Sequence, residues 1–212
     1  MIQAVTFDLW DTLVFGPPEY NQHVQKKREE LIYNALHKEV SRQKIADALR
    51  ESWSRIESVR KTLKDVPTAE QLHIFRAVLK VDGDLEKAYT TAVLHSPPLL
   101  SPYAEEVLTS LETKIGLISN TGRTPGAVLR PLLSDFGILQ FFDCTLFSNE
   151  VGYLKPHPAI FQKASRELDV PCSHILHVGD NAATDVEGAH HAGMQALLMR
   201  TPSDLLDVLE LV

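Results

Sequence analysis

Several polar side chains directly follow short apolar segments of the sequence. Asp8 follows residues 2–7, Ser119 follows residues 115–118, and Asp180 follows residues 175–178. A carboxylate can attack an electrophile or hold a hard cation, and a hydroxyl beside free backbone N–H groups can bind an anion. These residue types are therefore compatible with a site that combines catalytic or metal-binding carboxylates with an anion cradle.

Neighbouring residues add to this set. Asn120 offers an amide beside Ser119, and Asp185 follows Asp180 across a predicted strand-to-helix turn. Lys155 lies in the segment Gly-Tyr-Leu-Lys-Pro-His-Pro, whose prolines restrict the backbone and can aim the lysine side chain. Each signal alone is also typical of a helix cap, a turn or a solvated charge, so only their combination carries weight.

The elements that would position these residues alternate in type along the second half of the chain. Strands are predicted at residues 2–7, 115–118, 145–147, 175–178 and 195–199, and helices at 124–136, at 158–168, at 184–192 and after Ser203. Repeated β-then-α units indicate an α/β fold with a mainly parallel sheet and helices on both faces. Ligands bind such sheets at the carboxyl ends of the strands, where Asp8, Ser119 and Asp180 are predicted to lie.

Residues 20–96 have a different composition, rich in Lys, Arg, Glu, Leu and Ala and almost free of Gly and Pro. Apolar residues at helical spacing predict four helices, with Ser41 capping the second, a capping box at residues 68–71 opening the third, and Asp84 capping the fourth. We therefore predict a small helical bundle, residues 16–96, inserted into an α/β unit formed by residues 1–15 and 97–212.

Composition limits the kind of protein and of partner. The chain has 212 residues, of which 44% are hydrophobic and 23% charged, as in a globular domain with a modest insertion. A net charge of −7 disfavours nucleic acid and anionic lipid as partners. No targeting segment is visible, and no apolar run approaches the ~18 residues of a membrane span. Cys144 and Cys172 lack metal-site spacing, which is expected of reduced thiols in a cytoplasmic protein.

In combination, these segments resemble the haloacid dehalogenase superfamily of hydrolases, which use an aspartate nucleophile. The matching residues are Asp8 with Thr12, then Ser119, then Lys155, then Asp180 with Asp185. The resemblance covers nearly the whole chain. It implies a Rossmann-like core with an inserted helical cap of the C1 type that determines the substrate.

The resemblance also implies a role for each residue. Asp8 would attack the substrate and form a covalent intermediate, Ser119 would bind a phosphoryl oxygen, and Lys155 would keep Asp8 ionised. The implied Mg²⁺ ligands are Asp8, the backbone carbonyl of Trp10, Asp180 and Asp185. The expected substrate contacts are Ser119, Asn120, Thr12 and Trp10.

The charges of the site give a separate reason to expect a cation. Asp8, Asp180 and Asp185 would place three carboxylates in one cleft, and Lys155 neutralises only one of them. Clustered like charges raise pKa values and cost energy, and a phosphate dianion adds to that cost. A bound Mg²⁺ would relieve both problems by bridging Asp8 and the phosphoryl group.

Trp10 departs from the pattern of the superfamily. Most of its phosphatases have a second Asp two residues after the nucleophile, which protonates the leaving oxygen and later activates water. Losing a general acid–base typically costs about 10²–10⁴-fold in rate. The favoured interpretation is a Mg²⁺-dependent phosphatase of small phosphorylated metabolites with good leaving groups, such as acyl or aryl phosphates. Asp11 is a partial substitute for the acid, although a turn-stabilising role is favoured for it.

A 2-haloacid dehalogenase is the first alternative, because those enzymes also lack the second Asp and a halide leaves without a proton. Asp180 argues against it, because dehalogenases need no metal and resemble Ser-Ser-Asn at that motif. Arg28 or Arg42 could offset the charge of a carboxylate substrate. A phosphonate hydrolase with a Schiff-base lysine is a related option, with Lys26 and Lys27 as nominal candidates.

The second alternative is a non-catalytic binding or regulatory protein on a former enzyme scaffold. Trp10 would then mark lost catalysis. Retention of the other motif residues argues against this alternative, because nothing in simple binding requires Asp8.

Overall fold

Apolar segments of the chain form a parallel sheet in the computed structural model, which describes residues 1–212. In chain order the strands are β1 (Ala4–Phe7), β2 (Val14–Phe15), β3 (Leu99–Leu100), β4 (Lys114–Ser119), β5 (Cys144–Phe147), β6 (Ile175–Gly179) and β7 (Gln195–Leu198). Five of them form one sheet of order β5-β4-β1-β6-β7, in which every neighbouring pair is parallel. The predicted α/β class is therefore confirmed.

Helices surround this sheet. They are α1 (Tyr20–Ala35), α2 (Arg42–Arg60), α3 (Thr68–Leu79), α4 (Glu86–Thr90), α5 (Ala104–Ser110), α6 (Gly126–Asp135), α7 (Ser148–Val151), α8 (Pro158–Leu168), α9 (Glu187–His191) and α10 (Val208–Leu211). Short 3₁₀ segments cover Thr91–His95, Leu139–Phe141, Cys172–His174 and Pro202–Asp207, and a π-helical turn covers Ala182–Val186. None of the helices combines the length and the apolar character that crossing a membrane requires.

Successive side chains of β1 point to opposite faces of the sheet, and both faces are covered by helices. Val5 and Phe7 point into an apolar cluster that contains residues of α5 and α6, whereas Ala4 packs on the opposite face with residues of α8. All three side chains are fully buried. A strand buried on both faces presents apolar residues at every position, which is why this segment was predictable as a central strand.

The helices α1 to α4 lie in the sequence between β2 and β3. These two strands pair with each other in antiparallel fashion, with Val14 opposite Leu100. A third apolar cluster, which includes Ile32, Leu49 and Phe75, joins these helices to one another. The chain therefore leaves and re-enters the sheet region at a two-stranded ribbon.

Two of the predicted helix starts are wrong. Thr68 is the first residue of α3 rather than its cap, and Pro67 precedes it without any side-chain acceptor. The last helical segment begins at Pro202, and Thr201 caps it in a reciprocal pair with Asp204. Ser203 therefore lies inside that segment, because the capping residue comes two positions earlier than the pattern suggested.

The other two predicted capping residues accept hydrogen bonds at the starts of their helices. Ser41 caps α2 by accepting a hydrogen bond from the Lys44 N–H at 3.3 Å. Asp84 accepts from the Glu86 N–H at 3.0 Å, at the start of α4. This fourth helix is shorter than predicted, because α4 ends at Thr90 and continues only as 3₁₀ turns.

Candidate active site

The carboxyl ends of the central strands bring three carboxylates together. Asp8 directly follows β1, and its N–H donates to the Val178 carbonyl at 2.8 Å, which extends the ladder with β6. Asp180 directly follows β6, and Asp185 lies in the π-helical turn after it. Carboxylate oxygens of Asp8, Asp180 and Asp185 lie within 4.8 Å of one another. Asp8 and Asp185 are buried, whereas Asp180 is exposed.

Lys155 bridges the two buried carboxylates. Its Nζ lies 2.5 Å from Asp8 Oδ1 and 2.6 Å from Asp185 Oδ1, and only 2% of the lysine side chain is exposed. One cation therefore serves two buried anions, which leaves an excess negative charge at the edge of the sheet.

Further hydrogen bonds favour the ionised form of Asp185. Its Oδ1 lies 3.3 Å from His177 Nε2, and its Oδ2 accepts from the Asn181 N–H at 3.0 Å. His177 Nδ1 in turn contacts the Thr6 hydroxyl at 2.9 Å. His177 is thus a buried histidine with both ring nitrogens engaged, and it also orients Asp185.

These contacts separate the pKa values of the two carboxyl groups. Burial raises the pKa of Asp8 from 3.8 to about 6, with Asp185 adding to the rise and Lys155 opposing it. Burial also opposes ionisation of Asp185, but Lys155 and His177 outweigh it and hold the pKa of this carboxyl below its usual range. Burial disfavours the charged form of Lys155, yet the two carboxylates raise its pKa overall. Lys155 therefore stays protonated and Asp185 ionised. An added cation would stabilise the ionised form of Asp8.

Asn120 positions Lys155. Its side-chain Nδ2 donates to the Lys155 carbonyl at 3.0 Å, and its Oδ1 accepts from the Lys155 N–H at 2.8 Å. The amide predicted to bind substrate is thus committed to the backbone of the lysine, although Asn120 also borders the cavity described below. Its role as a substrate contact stays a prediction.

Two of the hydroxyls expected to contact substrate have no hydrogen-bond partner. Ser119 Oγ and Thr12 Oγ1 are both buried and unpaired. Buried polar atoms normally find partners, and an unpaired one costs about 1–3 kcal/mol. Ser119 ends β4, beside Asp8 at the end of β1, so this unpaired hydroxyl lies at the edge of the sheet where an anion would bind.

The helix cap at this turn is Asn181, not one of the two aspartates. Asn181 Oδ1 accepts from the N–H groups of Ala183 and Thr184, each at 3.0 Å. The capping role considered for Asp180 and Asp185 is therefore filled by a neighbour. Both carboxylates remain available to a cation.

A large cavity lies beside these residues. It has a volume of about 870 Å³, and residues from both the sheet edge and the helical region border it, including Trp10, Asp11, Arg28, Asn120 and Arg123. Trp10 is half-buried and packs near Tyr20, with ring centroids 6.1 Å apart. Asp11 is exposed in a left-handed backbone conformation at φ 58°, and its N–H donates to the Val14 carbonyl at 2.8 Å. It therefore belongs to a turn and also borders the cavity.

Three of the basic residues considered from the sequence lie elsewhere. Lys26, Lys27 and Arg42 border a separate surface depression, and Lys27 pairs with Glu30 at 3.1 Å. Arg28 does border the large cavity. Arg123 borders it too and was missed, although its place four residues after Ser119, just beyond a predicted strand end, was a usable signal.

The chain is similar in sequence to known hydrolases. The family model for haloacid dehalogenase-like hydrolases matches residues 2–193. Glyceraldehyde 3-phosphate phosphatase of Methanopyrus kandleri is 28% identical over 207 residues, which cover 94% of this chain and 84% of that protein. The 5-amino-6-(5-phospho-D-ribitylamino)uracil phosphatase of Escherichia coli is 28% identical over 216 residues, with 94% and 84% covered.

A solved crystal structure has the same fold as this chain. The crystal structure of a 2-haloacid dehalogenase from Pseudomonas syringae superposes with a TM-score of 0.70 at 24% identity and covers 99% of both chains. The matched family model spans nearly the whole chain, and the strand-end carboxylates and lysine lie together as that resemblance implied. The chain therefore belongs to the haloacid dehalogenase-like hydrolase family.

Proposed function

We propose that this protein is a Mg²⁺-dependent phosphatase that uses Asp8 as its nucleophile on a small phosphorylated metabolite. The observation that carries the proposal is the shared lysine: Lys155 contacts Asp8 and Asp185 at once, with Asp180 beside them. Three carboxylates with one cation between them favour the binding of a divalent cation. The two phosphatases named above support the reaction class for this chain.

The residues present fit a magnesium ion. Mg²⁺ prefers oxygen ligands, commonly uses one or two carboxylates and keeps several waters. Asp8 and Asp180 would bind it, with Asp185 beside them and the Trp10 carbonyl as a further candidate ligand. When bound, the cation would neutralise the phosphoryl oxygens and lower the pKa of Asp8.

The proposed reaction has two steps. An Asp8 carboxylate oxygen attacks phosphorus, and the bond from phosphorus to the leaving oxygen breaks, which gives an aspartyl phosphate and an alkoxide or acid anion. Water then attacks phosphorus, and the bond to Asp8 breaks, which releases inorganic phosphate and restores the carboxylate. Lys155 would balance the charge on Asp8, and the unpaired hydroxyls of Ser119 and Thr12 would donate to phosphoryl oxygens.

Trp10 bears on the choice of leaving group. Because an indole cannot protonate an alkoxide, we propose that the enzyme favours acyl or aryl phosphates, whose leaving groups need little protonation. Asp11 borders the cavity, so partial acid catalysis by this carboxyl is part of the proposal. The same absence of an acid would suit a 2-haloacid dehalogenase, and this specific observation keeps that activity as the second candidate.

We further propose that residues 16–96 act as a cap over the strand ends. The ribbon formed by β2 and β3 supports this division, because it joins the two ends of the helical segment. The arrangement would let the helices open and close and exclude water during the reaction. We also propose a cytoplasmic location, which the absence of any disulfide between Cys144 and Cys172 supports.

The test is phosphate release from p-nitrophenyl phosphate and acetyl phosphate, with Mg²⁺ and then with EDTA, beside halide release from 2-chloropropionate. We expect phosphate release that requires Mg²⁺ and is lost in Asp8→Asn. The control is Asp207→Asn, which changes an exposed carboxyl in the last 3₁₀ segment and should retain activity. Halide release without metal would replace the phosphatase with the dehalogenase. Inactivity in all assays, with ligand binding intact, would favour the non-catalytic alternative.

A further inference from the structure

Arg28 is a buried cation without an anionic partner. It lies on α1, only 5% exposed, and forms no ion pair. Its Nε donates to the Tyr89 carbonyl at 2.7 Å and its Nη1 to Gln25 Oε1 at 3.2 Å. A guanidinium has five N–H donors, so most of its donors remain free.

Arg123, half-buried in the loop after β4, is a second cation without an anionic partner. Its Nη2 donates to the Leu49 carbonyl at 2.7 Å, whereas its buried Nε has no partner. Its guanidinium lies 4.6 Å from the Trp53 ring centroid, which fixes the plane of the group. It also forms no ion pair, and the two carboxylates that border the cavity, Asp11 and Glu19, lie beyond ion-pair distance of both arginines.

The two guanidiniums converge on one oxygen atom. Gln25 Oε1 accepts from Arg28 at 3.2 Å and from Arg123 Nη1 at 3.5 Å. Burial first, and the charge of Arg123 second, lower the pKa of Arg28 to about 10, so Arg28 keeps its charge at neutral pH. A neutral amide oxygen thus occupies a position between two cations that an anionic oxygen would fit better.

One cavity is bordered both by these cations and by residues that follow the strand ends. Arg28 and Arg123 border the same volume as Trp10 and Asn120, which are close in sequence to Asp8 and Ser119. Its volume of about 870 Å³ is within the usual range for small-molecule sites. A single small ligand can therefore extend from the strand ends to the arginines.

We propose that Arg28 and Arg123 together bind a second anionic group, a carboxylate or a phosphate, on the substrate molecule whose phosphoryl group reacts at Asp8. The inference rests on the proposed phosphatase function and narrows its substrate class to small phosphomonoesters that carry a further anion. Arg28 comes from the helical region and Arg123 from the sheet edge, so such a substrate would also draw the two parts of the molecule together.

Matched substrates test whether Arg28 and Arg123 bind a second anionic group. Phosphoglycolate carries a carboxylate, ethylene glycol bisphosphate carries a second phosphate, and ethylene glycol monophosphate carries a neutral hydroxyl in the same place. We expect kcat/KM of the wild type to favour at least one of the two compounds with a second anionic group by about tenfold or more over the monophosphate, mainly through KM. Which of the two is favoured identifies the group that the arginines bind.

Three variants complete the experiment. Arg123→Gln removes one cation, and Gln25→Glu places a resident carboxylate between both; each should bring the preference ratio close to one. Arg42→Gln changes an exposed arginine outside the cavity and should keep the ratio of the wild type. A wild type that hydrolyses all three compounds equally, or a ratio unchanged in Arg123→Gln, would overturn the inference while leaving the phosphatase function intact.

A binding measurement distinguishes failure of the arginine site from failure of the proposed phosphatase reaction. Calorimetry with Asp8→Asn and Mg²⁺ should detect phosphoglycolate or ethylene glycol bisphosphate, with a Kd about tenfold or more higher when Arg123→Gln is added. If the protein hydrolyses no phosphate ester but this difference persists, the proposed phosphatase fails and the arginine site stands. If the difference is absent, the arginine site fails.

Discussion

Asp8→Asn should stabilise the metal-free protein even though it abolishes catalysis. The Asp8 carboxylate is buried and shares Lys155 with Asp185. The rise of its pKa from 3.8 to about 6 corresponds to about 3 kcal/mol against the ionised form. An asparagine keeps the size of the side chain and an oxygen that accepts from Lys155, but it removes the charge.

The difference in the free energy of unfolding between Asp8→Asn and the wild type should depend on pH. Between pH 3.8 and about 6 the folded protein retains a proton on Asp8 that the unfolded chain has released, so the stability of the wild type falls as pH rises through this window. The variant lacks this carboxyl. Its advantage should therefore be absent at about pH 4, grow towards pH 6 and reach at most about 3 kcal/mol above it.

Urea denaturation of both proteins in EDTA, at about pH 4 and about pH 7.5, measures this difference. Mg²⁺ at about 100 times its Kd should then add about 2.7 kcal/mol to the wild type and much less to the variant. Asp207→Asn should change stability by no more than about 0.5 kcal/mol at either pH, because this side chain is exposed. An Asp8→Asn variant that is less stable than the wild type at the higher pH, or a stability difference that does not vary with pH, would refute this prediction.

Three further predictions concern the same residues. In Gly179→Ala the added Cβ would lie 2.4 Å from Asp185 Cγ, so the carboxylate must move, and we expect a lower thermal midpoint and weaker Mg²⁺ binding by calorimetry. In Asn120→Ala the Lys155 backbone loses two hydrogen bonds, which should lower the free energy of unfolding by about 1–3 kcal/mol and reduce kcat more than it raises KM. Because a proton on Asp8 competes with the metal, the Kd for Mg²⁺ should rise as pH falls below about 6, by up to about tenfold per pH unit, and a Kd that is constant from pH 7 to pH 5 would contradict this.

The sheet was predictable because its three central strands, β1, β4 and β6, are buried on both faces. Such strands appear in the sequence as short apolar runs, and each run is followed by a polar residue where the strand ends. The parallel arrangement predicts that residues as distant in sequence as Asp8 and Asp180 lie together. In the structure their carboxylate oxygens lie within 4.8 Å of each other. Helix α8 was equally clear, because Pro158 opens it and a strong apolar face continues to Leu168.

The capping errors have local causes. Residues 68–71 have the composition of a capping box, but Pro67 precedes them and Thr68 is already helical. The pair of Thr201 and Asp204 is equally consistent with the sequence but begins two residues before Ser203. Element boundaries depend on such competing local hydrogen bonds, and the apolar pattern does not choose among them.

The convergence of Arg28 with Arg123, and the two hydrogen bonds from Asn120 to the Lys155 backbone, were beyond sequence reasoning. Arg28, Gln25 and Arg123 belong to two segments about 95 residues apart, and their convergence depends on how the helices pack against the sheet edge. Similarly, the side chain of Asn120 was expected to face substrate, and only the path of the chain around Lys155 provides it with two backbone partners.

Mass spectrometry of acid-quenched protein, during turnover of acetyl phosphate with Mg²⁺ in water labelled with heavy oxygen, tests the covalent role of Asp8 most directly. We predict a phosphoryl group on the peptide that contains Asp8 before release, and the label in free phosphate afterwards, because water attacks phosphorus. A label that enters the Asp8 carboxylate would show attack at the carbonyl carbon instead, as expected for an ester intermediate. Phosphate release without any modification of Asp8 would contradict the covalent mechanism itself.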